Sequence, residues 1–208
     1  MIISFKYKYI FVKNRKVGGS SFEKYLIDNL FDKKTDINTG SFHDGYHSNN
    51  IKLKKGGEVP GHLSILEIGK ILNMDFVDML KSFFIFSIER NPFDKCVSAY
   101  FFHKTNYSFL DFVKKNKLPC DWHKYTYENK IIGKVYLYED YKNIFENLNQ
   151  NLSLKSHEKL YFKNFKKINY KSQYRPKWAS YDKIVCQESK ELIQKCFRNE
   201  IKTFHYNF

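Results

Sequence analysis

The sequence Phe84-Ile-Phe-Ser-Ile-Glu-Arg-Asn-Pro-Phe-Asp-Lys-Cys-Val-Ser-Ala-Tyr100 joins a continuous apolar run to a helix-like segment through a short turn. The run before Arg90 is apolar almost throughout, as expected for a central parallel strand that is covered on both faces. Pro92 fits the first turn of a helix, where the missing N–H group of proline costs little. The stretch therefore predicts a buried strand, a short loop that carries a cation, and a helix that ends near His103.

An upstream segment has the same order of elements: Tyr9-Ile-Phe-Val-Lys-Asn-Arg-Lys-Val-Gly-Gly-Ser-Ser-Phe-Glu-Lys-Tyr-Leu26. We expect a strand over residues 8–13, a break at the glycine pair, and a helix capped by Ser20 or Ser21. Strands that alternate with helices are typical of an α/β fold with a mainly parallel sheet. The sequence shows no internal repeat and no domain boundary, so we expect residues 1–208 to form one domain.

Apolar spacing and capping residues predict the remaining elements. A long polar loop over residues 32–61 precedes two helices, which are expected to begin near His62 and Asp75. The later predicted elements are a helix over residues 109–115 capped by Ser108, a strand over 134–138, and helices over 141–148 and 189–199.

The chain carries a large excess of positive charge. It contains 36 Lys or Arg residues against 22 Asp or Glu residues, which gives a formal net charge of +14. A surplus of this size favours anionic partners, namely nucleotides, acidic glycans, nucleic acid or anionic membranes, without distinguishing among them. Apolar residues make up 42% of the chain, which is typical of a globular protein and excludes a disordered one.

The cysteines and the apolar runs predict neither a metal site nor a membrane span. Four cysteines, at positions 96, 120, 186 and 196, form no CxxC pair, so we interpret them as structural. No stretch approaches the roughly 18 apolar residues that cross a bilayer, and the first residues do not resemble a signal peptide. We therefore expect a soluble, cytoplasmic protein without a metal ion.

The first loop has the chemistry of a phosphate cradle. Backbone N–H groups at the start of a helix favour a phosphate, and Gly18 and Gly19 allow it to approach closely. Lys16 adds a mobile positive charge, while Ser20 and Ser21 add hydroxyl donors. The pattern GxxxxGK[ST] is absent, so a site for ATP with magnesium is not indicated. Taken alone, the loop is equally consistent with a plain Gly-Ser turn.

The second loop has different chemistry. Arg90 offers a planar fork for bidentate phosphate binding, and Ser98, in the helix that follows, adds one hydroxyl. Taken alone, these residues are better explained by a salt bridge of Arg90 and a tolerated helix serine. Two such units, with different loop chemistry, predict one ligand that carries phosphates at both ends.

Together the two segments resemble the sulfotransferase superfamily, specifically its carbohydrate sulfotransferase-like branch, whose donor is 3′-phosphoadenosine 5′-phosphosulfate (PAPS). The family's first loop reads Pro-Lys-x-Gly-(Ser/Thr)-(Ser/Thr), and Lys16-Val-Gly-Gly-Ser-Ser21 is similar, with Arg15 in place of the proline. Its second segment reads Arg-(Asn/Asp/His)-Pro-(Phe/Trp/Tyr)-(Asp/Glu)-Arg-x-Val-Ser-x-Tyr. The match over residues 90–100 is long, and it departs mainly at Lys95, where Arg is usual.

Further resemblance covers most of the chain. Gly61-His-Leu-Ser-Ile-Leu-Glu67 is similar to the family's His-containing segment, and Val135-Tyr-Leu-Tyr-Glu-Asp140 to a later strand that ends in an acidic residue. Residues 181–208 resemble the family's C-terminal helix and closing aromatic segment. Residues 32–60 and 104–130 are not placed by the resemblance, and they are where acceptor specificity is expected.

The resemblance implies a P-loop-like three-layer α/β/α fold with a central, mainly parallel sheet. It also implies transfer of a sulfuryl group from PAPS to a hydroxyl of a carbohydrate or other acceptor, possibly an anionic one. Lys16 would contact the 5′-phosphate and the bridging oxygen, and Arg90 and Ser98 would hold the 3′-phosphate. The cradle of the 5′-phosphosulfate would consist of Gly18, Gly19, Ser20 and Ser21.

Sulfuryl transfer needs a base for the acceptor proton and positive charge for the leaving phosphate. Lys16 suits the second task, because charge grows on that oxygen in the transition state. Our candidate base is His62, because imidazole titrates near neutrality, and the alternative is that His62 caps or orients its helix. The sequence does not decide between His62 and the rival bases His43, His47, Asp44, Glu58 and Glu67.

Residues 161–177 form a basic tract with interleaved aromatics. The tract contacts the nucleotide or an anionic acceptor, or it is simply a solvated surface. Asn169, Lys171 and Tyr174 are further candidates for the donor side, whereas Trp178 is expected in the core.

Two other functions stay open: a single-strand nucleic-acid binder that uses aromatic stacking, and a nucleotide-binding module without catalysis. The first of these leaves residues 90–100 unexplained, so no nucleic-acid partner is expected.

Overall fold

A five-stranded mixed sheet forms the centre of an α/β fold in the computed structural model, which describes residues 1–38, 61–115, 117–168 and 174–208. The strand order is β3-β1-β2-β4-β7, and β5 and β6 form a separate hairpin. The strands are β1 (Ile2–Ser4), β2 (Tyr9–Val12), β3 (Ile37–Asn38), β4 (Phe84–Glu89), β5 (Thr126–Tyr127), β6 (Lys130–Ile131) and β7 (Lys134–Leu137).

Helices follow each of the parallel strands and form the rest of the fold. In chain order they are α1 (Gly19–Leu30), α2 (Ile65–Leu72), α3 (Phe76–Ser82), α4 (Pro92–His103), α5 (Phe109–Lys115), α6 (Tyr141–Asn151), α7 (Phe162–Phe165), α8 (Tyr181–Ile184), α9 (Gln187–Cys196) and α10 (Arg198–Phe204). Single 3₁₀ turns cover Trp122–Lys124 and Tyr138–Asp140. Among the described residues, no helix is long and apolar enough to cross a membrane.

The middle of the sheet is parallel, as the sequence predicts. Strand β4 pairs in parallel with β2 on one side and with β7 on the other, and Ser87 lies opposite both Val12 and Val135. The Ser87 hydroxyl also donates a hydrogen bond to the Val12 carbonyl at 3.0 Å. Because parallel strands end at the same edge of a sheet, the loops that follow β2, β4 and β7 lie side by side.

The other half of the sheet is antiparallel, which the sequence analysis did not predict. Strand β1 pairs antiparallel with both β2 and β3, so the sheet is mixed rather than mainly parallel. The hairpin between β1 and β2 and the two-residue β3 are too short to show a period in the sequence. Strand β3 also lies in the segment predicted as a long loop, of which residues 39–60 lie outside the described ranges.

Both faces of the sheet are buried, and the two faces differ in composition. Because side chains alternate along a strand, Phe11 and Phe86 point to one face, where they pack with Phe22 of α1 and Phe145 of α6. On the opposite face, the neighbouring strand residues are aliphatic and pack against α2 and α3; this cluster includes Ile10, Val12, Ile85, Ile68 and Met79. Helices therefore cover the sheet on both sides.

Two helix starts differ from the prediction. Gly18, not Ser20 or Ser21, is the N-cap of α1, and its φ of +67° is one that glycine adopts without strain. Helix α2 begins at Ile65 rather than near His62, because Ser64 and Glu67 form a capping box: each side chain accepts a hydrogen bond from the other residue's backbone N–H.

Other predictions agree closely with the structure. Helix α4 begins at Pro92 and ends at His103, and α5 covers the predicted residues, with the Ser108 hydroxyl accepting from the Asp111 N–H at 3.1 Å. The expected burial of Trp178 is wrong, because 63% of that residue is exposed. Its ring meets only the edge of Phe101 among the described aromatic contacts.

A buried network of charged side chains connects the loop after β2 and the end of β4 to helix α4 and to Asp121. Lys95 of α4 is fully buried, with its Nζ 2.6 Å from Glu89 at the end of β4 and 3.3 Å from Asp121. Asp121 accepts hydrogen bonds from the backbone N–H and Nε of Arg15 at 2.7 and 2.8 Å, and Lys124 lies 2.9 Å away. Burial alone would raise the pKa of Asp121, but the three cations outweigh it and hold that pKa well below its usual range.

We expect Lys95→Met to lower the free energy of unfolding by about 3–5 kcal/mol, because the change leaves the buried Glu89 without its cation and removes one of the three cations around Asp121. Lys114→Met is the matched control: Lys114 also lies 2.6 Å from a carboxylate, that of Glu188, but the two side chains are 46% and 56% exposed. An exposed pair of this kind contributes about 0–1 kcal/mol. Chemical denaturation of both variants tests the difference, and equal losses would contradict the role assigned to Lys95.

Candidate functional site

A cleft of about 1130 Å³ lies where β2, β4 and β7 end, at the edge where open α/β sheets bind ligands. The structure brings the principal site residues predicted from the sequence, those of the two loops and His62, to this cleft. Its lining includes Lys16, Gly18, Gly19, Ser20 and Ser21 from the first loop, Arg90 and Ser98 from the second segment, and His62.

The first loop turns sharply into α1 at the bottom of the cleft. Lys16 and Gly18 both have positive φ, of +60° and +67°. A Cβ atom on Gly18 would lie 3.0 Å from the Tyr141 hydroxyl and 3.3 Å from the Tyr138 ring, so the position requires glycine for space as well as for conformation. In the part of the chain that the structure describes, no side chain caps α1, and a helix does not satisfy its own first N–H groups.

Arg90 is fixed against the first loop. Its Nε donates to Asp94 at 2.7 Å, its Nη2 pairs with the same carboxylate, and its Nη1 donates to the Lys16 carbonyl at 3.1 Å. The guanidinium also stacks 4.1 Å over the ring of Tyr138. These contacts use three of the five N–H donors that an arginine carries, and they include the salt bridge that was the alternative interpretation of Arg90.

Aromatic side chains line the wall above the first loop. The Lys16 Nζ lies 3.8 Å from the centre of the Phe102 ring, a cation–π contact that holds this lysine beside α4. Tyr174 meets Phe102 edge-on at 5.4 Å and also lines the cleft, as does the partly exposed Ser98. Asn169 and Lys171, the other two donor-side candidates, lie outside the described residues.

His62 has the tautomer that a general base needs. Its Nδ1 lies 3.0 Å from the Lys13 carbonyl. A carbonyl oxygen only accepts hydrogen bonds, so Nδ1 carries the proton and Nε2 keeps its lone pair. His62 therefore presents an unprotonated nitrogen while its other nitrogen is anchored.

The surroundings of His62 keep its imidazole neutral. Although part of the residue is exposed at the cleft, burial of the imidazole is the main cause that lowers its pKa to about 4. The positive charges of Lys13, Lys124 and the Met1 ammonium act in the same direction, and the bond to the Lys13 carbonyl opposes them. At neutral pH the ring is therefore in the form that accepts a proton.

Only one rival base lies within the described residues. The Glu67 carboxylate accepts hydrogen bonds from both the backbone N–H and the hydroxyl of Ser64 at 2.7 Å, so it is engaged in capping α2. Glu67 is not among the described residues that line the cleft. His43, Asp44, His47 and Glu58 lie outside the described ranges.

The cleft is strongly positive. Nine Lys or Arg residues line it, and the acidic residues in its described lining are Glu139 and Asp140. Lys13, which the sequence did not predict as a site residue, pairs with the buried Glu23 at 2.5 Å, and its place in the cleft depends on long-range packing. Lys166, Arg175 and Lys177 belong to the basic tract over residues 161–177, and Arg175 lies 2.6 Å from Asp94.

No protein-family model matches this chain, no curated protein matches its sequence, and no solved structure matches its fold. Within the described residues, no group of three or more His, Cys, Asp or Glu side chains is arranged to hold a metal ion. Support for a function therefore comes from the cleft itself, which is a basic site at the ends of the parallel strands.

We expect His62 in the folded protein to take up its proton near pH 4, against about 6.5 for the unfolded chain. Two-dimensional NMR of labelled histidine checks this, and it should show the Nδ1–H tautomer at pH 7. Because the folded chain binds fewer protons between these pH values, His62 contributes stability above pH 6.5 that is lost as the pH falls toward 4. Titration of folded His62 near 6.5, or an Nε2–H tautomer, would contradict the geometry.

Proposed function

We propose that this protein is a PAPS-dependent sulfotransferase that transfers the sulfuryl group to a hydroxyl of a carbohydrate acceptor. The observation that carries the proposal is the convergence of two different anion-binding loops at the ends of adjacent parallel strands. The loop after β2 supplies a glycine turn, a helix N-terminus and Lys16, and the loop after β4 supplies Arg90, whose Nη1 donates to the Lys16 carbonyl at 3.1 Å. One ligand with a phosphate at each end fits such a pair.

In this proposal the fold is the P-loop-like three-layer α/β/α fold that the sequence resemblance implies. The first turn of α1, with Ser20 and Ser21, cradles the 5′-phosphosulfate, since backbone N–H groups and the helix dipole favour an anion there. The 3′-phosphate takes N–H donors of Arg90 that remain beside Asp94, together with the Ser98 hydroxyl. Binding of the 3′-phosphate separates PAPS from ATP-like ligands that lack it.

Transfer proceeds by in-line displacement at sulfur. The Nε2 atom of His62 takes the proton of the acceptor hydroxyl, whose oxygen forms the new bond to sulfur. The bond between sulfur and the bridging oxygen of the donor breaks, and its electron pair stays with the departing 3′-phosphoadenosine 5′-phosphate. Lys16 stabilises the charge that develops on that oxygen. No metal ion is required by this scheme, because Lys and Arg side chains meet the charge of the donor.

The donor site is tested by calorimetric binding of 3′,5′-ADP, the product nucleotide, against 5′-AMP. We expect 3′,5′-ADP to bind more tightly, and Arg90→Ala to weaken its binding about 10–100-fold while affecting 5′-AMP little, since hydrogen bonds to charged groups contribute about 1.5–3 kcal/mol. Arg198→Ala, at an exposed position of α10, is the matched control and should change neither affinity. Equal affinities for the two nucleotides would overturn the sulfotransferase proposal.

Catalysis is tested separately by following the breakdown of PAPS in the presence of an oligosaccharide panel. Lys16→Ala should lower turnover by about 10²–10³-fold, the usual cost of removing one group that stabilises a developing charge. Lys24→Ala is the control, because Lys24 lies on α1, the helix that follows the first loop, and pairs with Asp28 at the exposed surface of that helix. His62→Gln should also lower turnover while leaving 3′,5′-ADP affinity nearly unchanged.

The alternative function is a non-catalytic basic protein that binds a nucleotide or a nucleic acid. A nucleotide-binding module would show the 3′-phosphate preference without any PAPS breakdown. A single-strand nucleic-acid binder would instead bind oligonucleotides with a strong salt dependence, and 3′,5′-ADP would not displace them. If the protein bound single-stranded nucleic acid, the contact between Arg90 and the first loop would have no explained role.

A further inference from the structure

Two cysteines from distant parts of the chain lie against each other. Cys120 is in the segment between α5 and the 3₁₀ turn at Trp122–Lys124, and Cys196 is the last residue of α9. The two thiols are within hydrogen-bond reach of each other. Cys196 is exposed, Cys120 is partly exposed, and both are free thiols. Folding brings the pair together, so the absence of a CxxC spacing in the sequence does not reveal it.

A buried carboxyl group lies beside this pair. Glu200 is one helical turn beyond Cys196, because the N–H groups of Phe197 and Ile201 each donate to the carbonyl four residues earlier and so continue α9 into α10. The Oε1 atom of Glu200 accepts a hydrogen bond from the Cys120 thiol at 3.2 Å, and the residue is only 1% exposed. Its Oε2 atom has no hydrogen-bond partner among the described residues. Most buried polar atoms have a partner, so an open acceptor beside a thiol points to a place for the proton of that thiol.

The two thiols differ in acidity and in access. The hydrogen bond from Cys120 is the main cause that lowers the pKa of Cys196, and the positive charge of Arg15 acts in the same direction. The same hydrogen bond, together with burial, raises the pKa of Cys120. Because the thiolate is the reactive form, the exposed Cys196 is the thiol that meets an oxidant first.

We propose that Cys196 and Cys120 are a peroxide-sensitive pair that closes reversibly to a disulfide, with Glu200 as the acceptor of the Cys120 proton. The proposal stands on the contact of the two thiols, on the exposure of Cys196 and on the open oxygen of Glu200. It does not depend on the sulfotransferase function, since it concerns cysteines that the proposed transfer does not use.

The oxidation takes place in two steps. The Cys196 thiolate attacks one oxygen of hydrogen peroxide, the O–O bond breaks, and the other oxygen leaves as hydroxide and takes up a proton, which leaves Cys196 as a sulfenic acid. Cys120 then gives its proton to Glu200, and its sulfur attacks the sulfur of Cys196. The S–O bond breaks, and the departing hydroxide takes the proton from Glu200 as water. In total, two thiols lose two electrons and two protons, and one peroxide becomes two waters; a small thiol reverses the change by exchange.

The acidity of Glu200 suits this role. Burial is the main cause that raises the pKa of Glu200 to about 8, and the neighbouring Cys120 acts in the same direction. A group whose pKa is near neutrality can both accept a proton and release it.

The cysteine pair is connected to the first loop through Arg15. The Nη2 atom of Arg15 donates to the Cys120 carbonyl at 2.9 Å, and its backbone N–H and Nε donate to the carboxylate of the next residue, Asp121. A disulfide holds its two sulfurs about 2 Å apart, so closure draws the Cys120 sulfur toward Cys196 and away from Glu200. Because both acceptors of Arg15 flank one peptide bond, we expect closure to shift them together. Arg15 directly precedes Lys16, so the shift reaches the loop that turns into α1.

The disulfide is tested on the full chain by treatment with hydrogen peroxide, alkylation of the remaining thiols and mass spectrometry of a non-reduced digest. We expect a peptide pair that joins Cys120 to Cys196 and that separates after dithiothreitol. In Cys120→Ser, the sulfenic acid of Cys196 should accumulate and react with dimedone. Cys186→Ser is the matched control, because Cys186 is also exposed but has Ser189 as its hydrogen-bond partner, and it should leave the disulfide in place. No disulfide in the folded wild type, or one that joins Cys120 to Cys96, would overturn the proposal.

The role of Glu200 is tested by the rate of each step. Glu200→Gln keeps the shape of the side chain but cannot take the proton, so we expect closure of the sulfenic acid to slow at least about tenfold. Trapping of Cys196 by dimedone in the same variant shows that the first step still occurs. Closure at the wild-type rate would overturn the assignment of Glu200.

The connection to the first loop is tested by the NMR signal of the Arg15 Nε–H group, which Arg15→Lys identifies. We expect this signal to move on oxidation, to return with dithiothreitol, and to stay unchanged in peroxide-treated Cys120→Ser. The affinity for 3′,5′-ADP should fall at least about fivefold in the oxidised protein, since hydrogen bonds that position the loop are disturbed. A disulfide that forms without moving the Arg15 signal would overturn the connection. Protein that shows no preference for the 3′-phosphate would overturn the sulfotransferase proposal, and the cysteine pair would be judged by the digest alone.

Discussion

Lys95 lies between two buried carboxylates, and the geometry of the cleft depends on the ion pairs that it makes. Glu89 ends the central strand, and Asp121 holds Arg15 of the first loop, so one ammonium group connects the strand, the loop and the helix α4. The remaining acceptor positions of Glu89 are filled by Tyr125 and other buried donors. A buried ion pair of this kind adds little net stability over an apolar core, but it fixes which groups meet.

The proposed function depends on that fixed geometry. The first loop and the Arg90 segment each have an ordinary explanation when taken separately, as a Gly-Ser turn and as a salt-bridged arginine. Parallel pairing of β2 and β4 brings them to one edge, and the Arg90–Lys16 contact joins them. His62, anchored to the Lys13 carbonyl, lies in the same cleft.

The sequence predicted elements whose signals are local. Pro92 and the apolar run before Arg90 are enough to place β4 and α4, and the loop residues were assigned from chemistry that each carries by itself. The features that the sequence did not predict depend on contacts between residues that are far apart in the chain. The antiparallel strand β1 is defined by its partners, and position 18 needs glycine because Tyr138 and Tyr141 would crowd a Cβ atom there. The role of Asp121 appears only when its segment folds beside the first loop.

The immobilisation of Arg90 also bears on the thermodynamics of recognition. An arginine side chain has about 2 kcal/mol of rotamer entropy to lose when it is ordered. Here Asp94, the Lys16 carbonyl and the Tyr138 ring order it during folding, before any phosphate arrives. A ligand then meets a rigid receptor, and its binding should be driven by enthalpy with little loss of side-chain freedom. Asp94, although negative and next to a proposed phosphate site, would on this basis strengthen anion binding by keeping its neighbour in place.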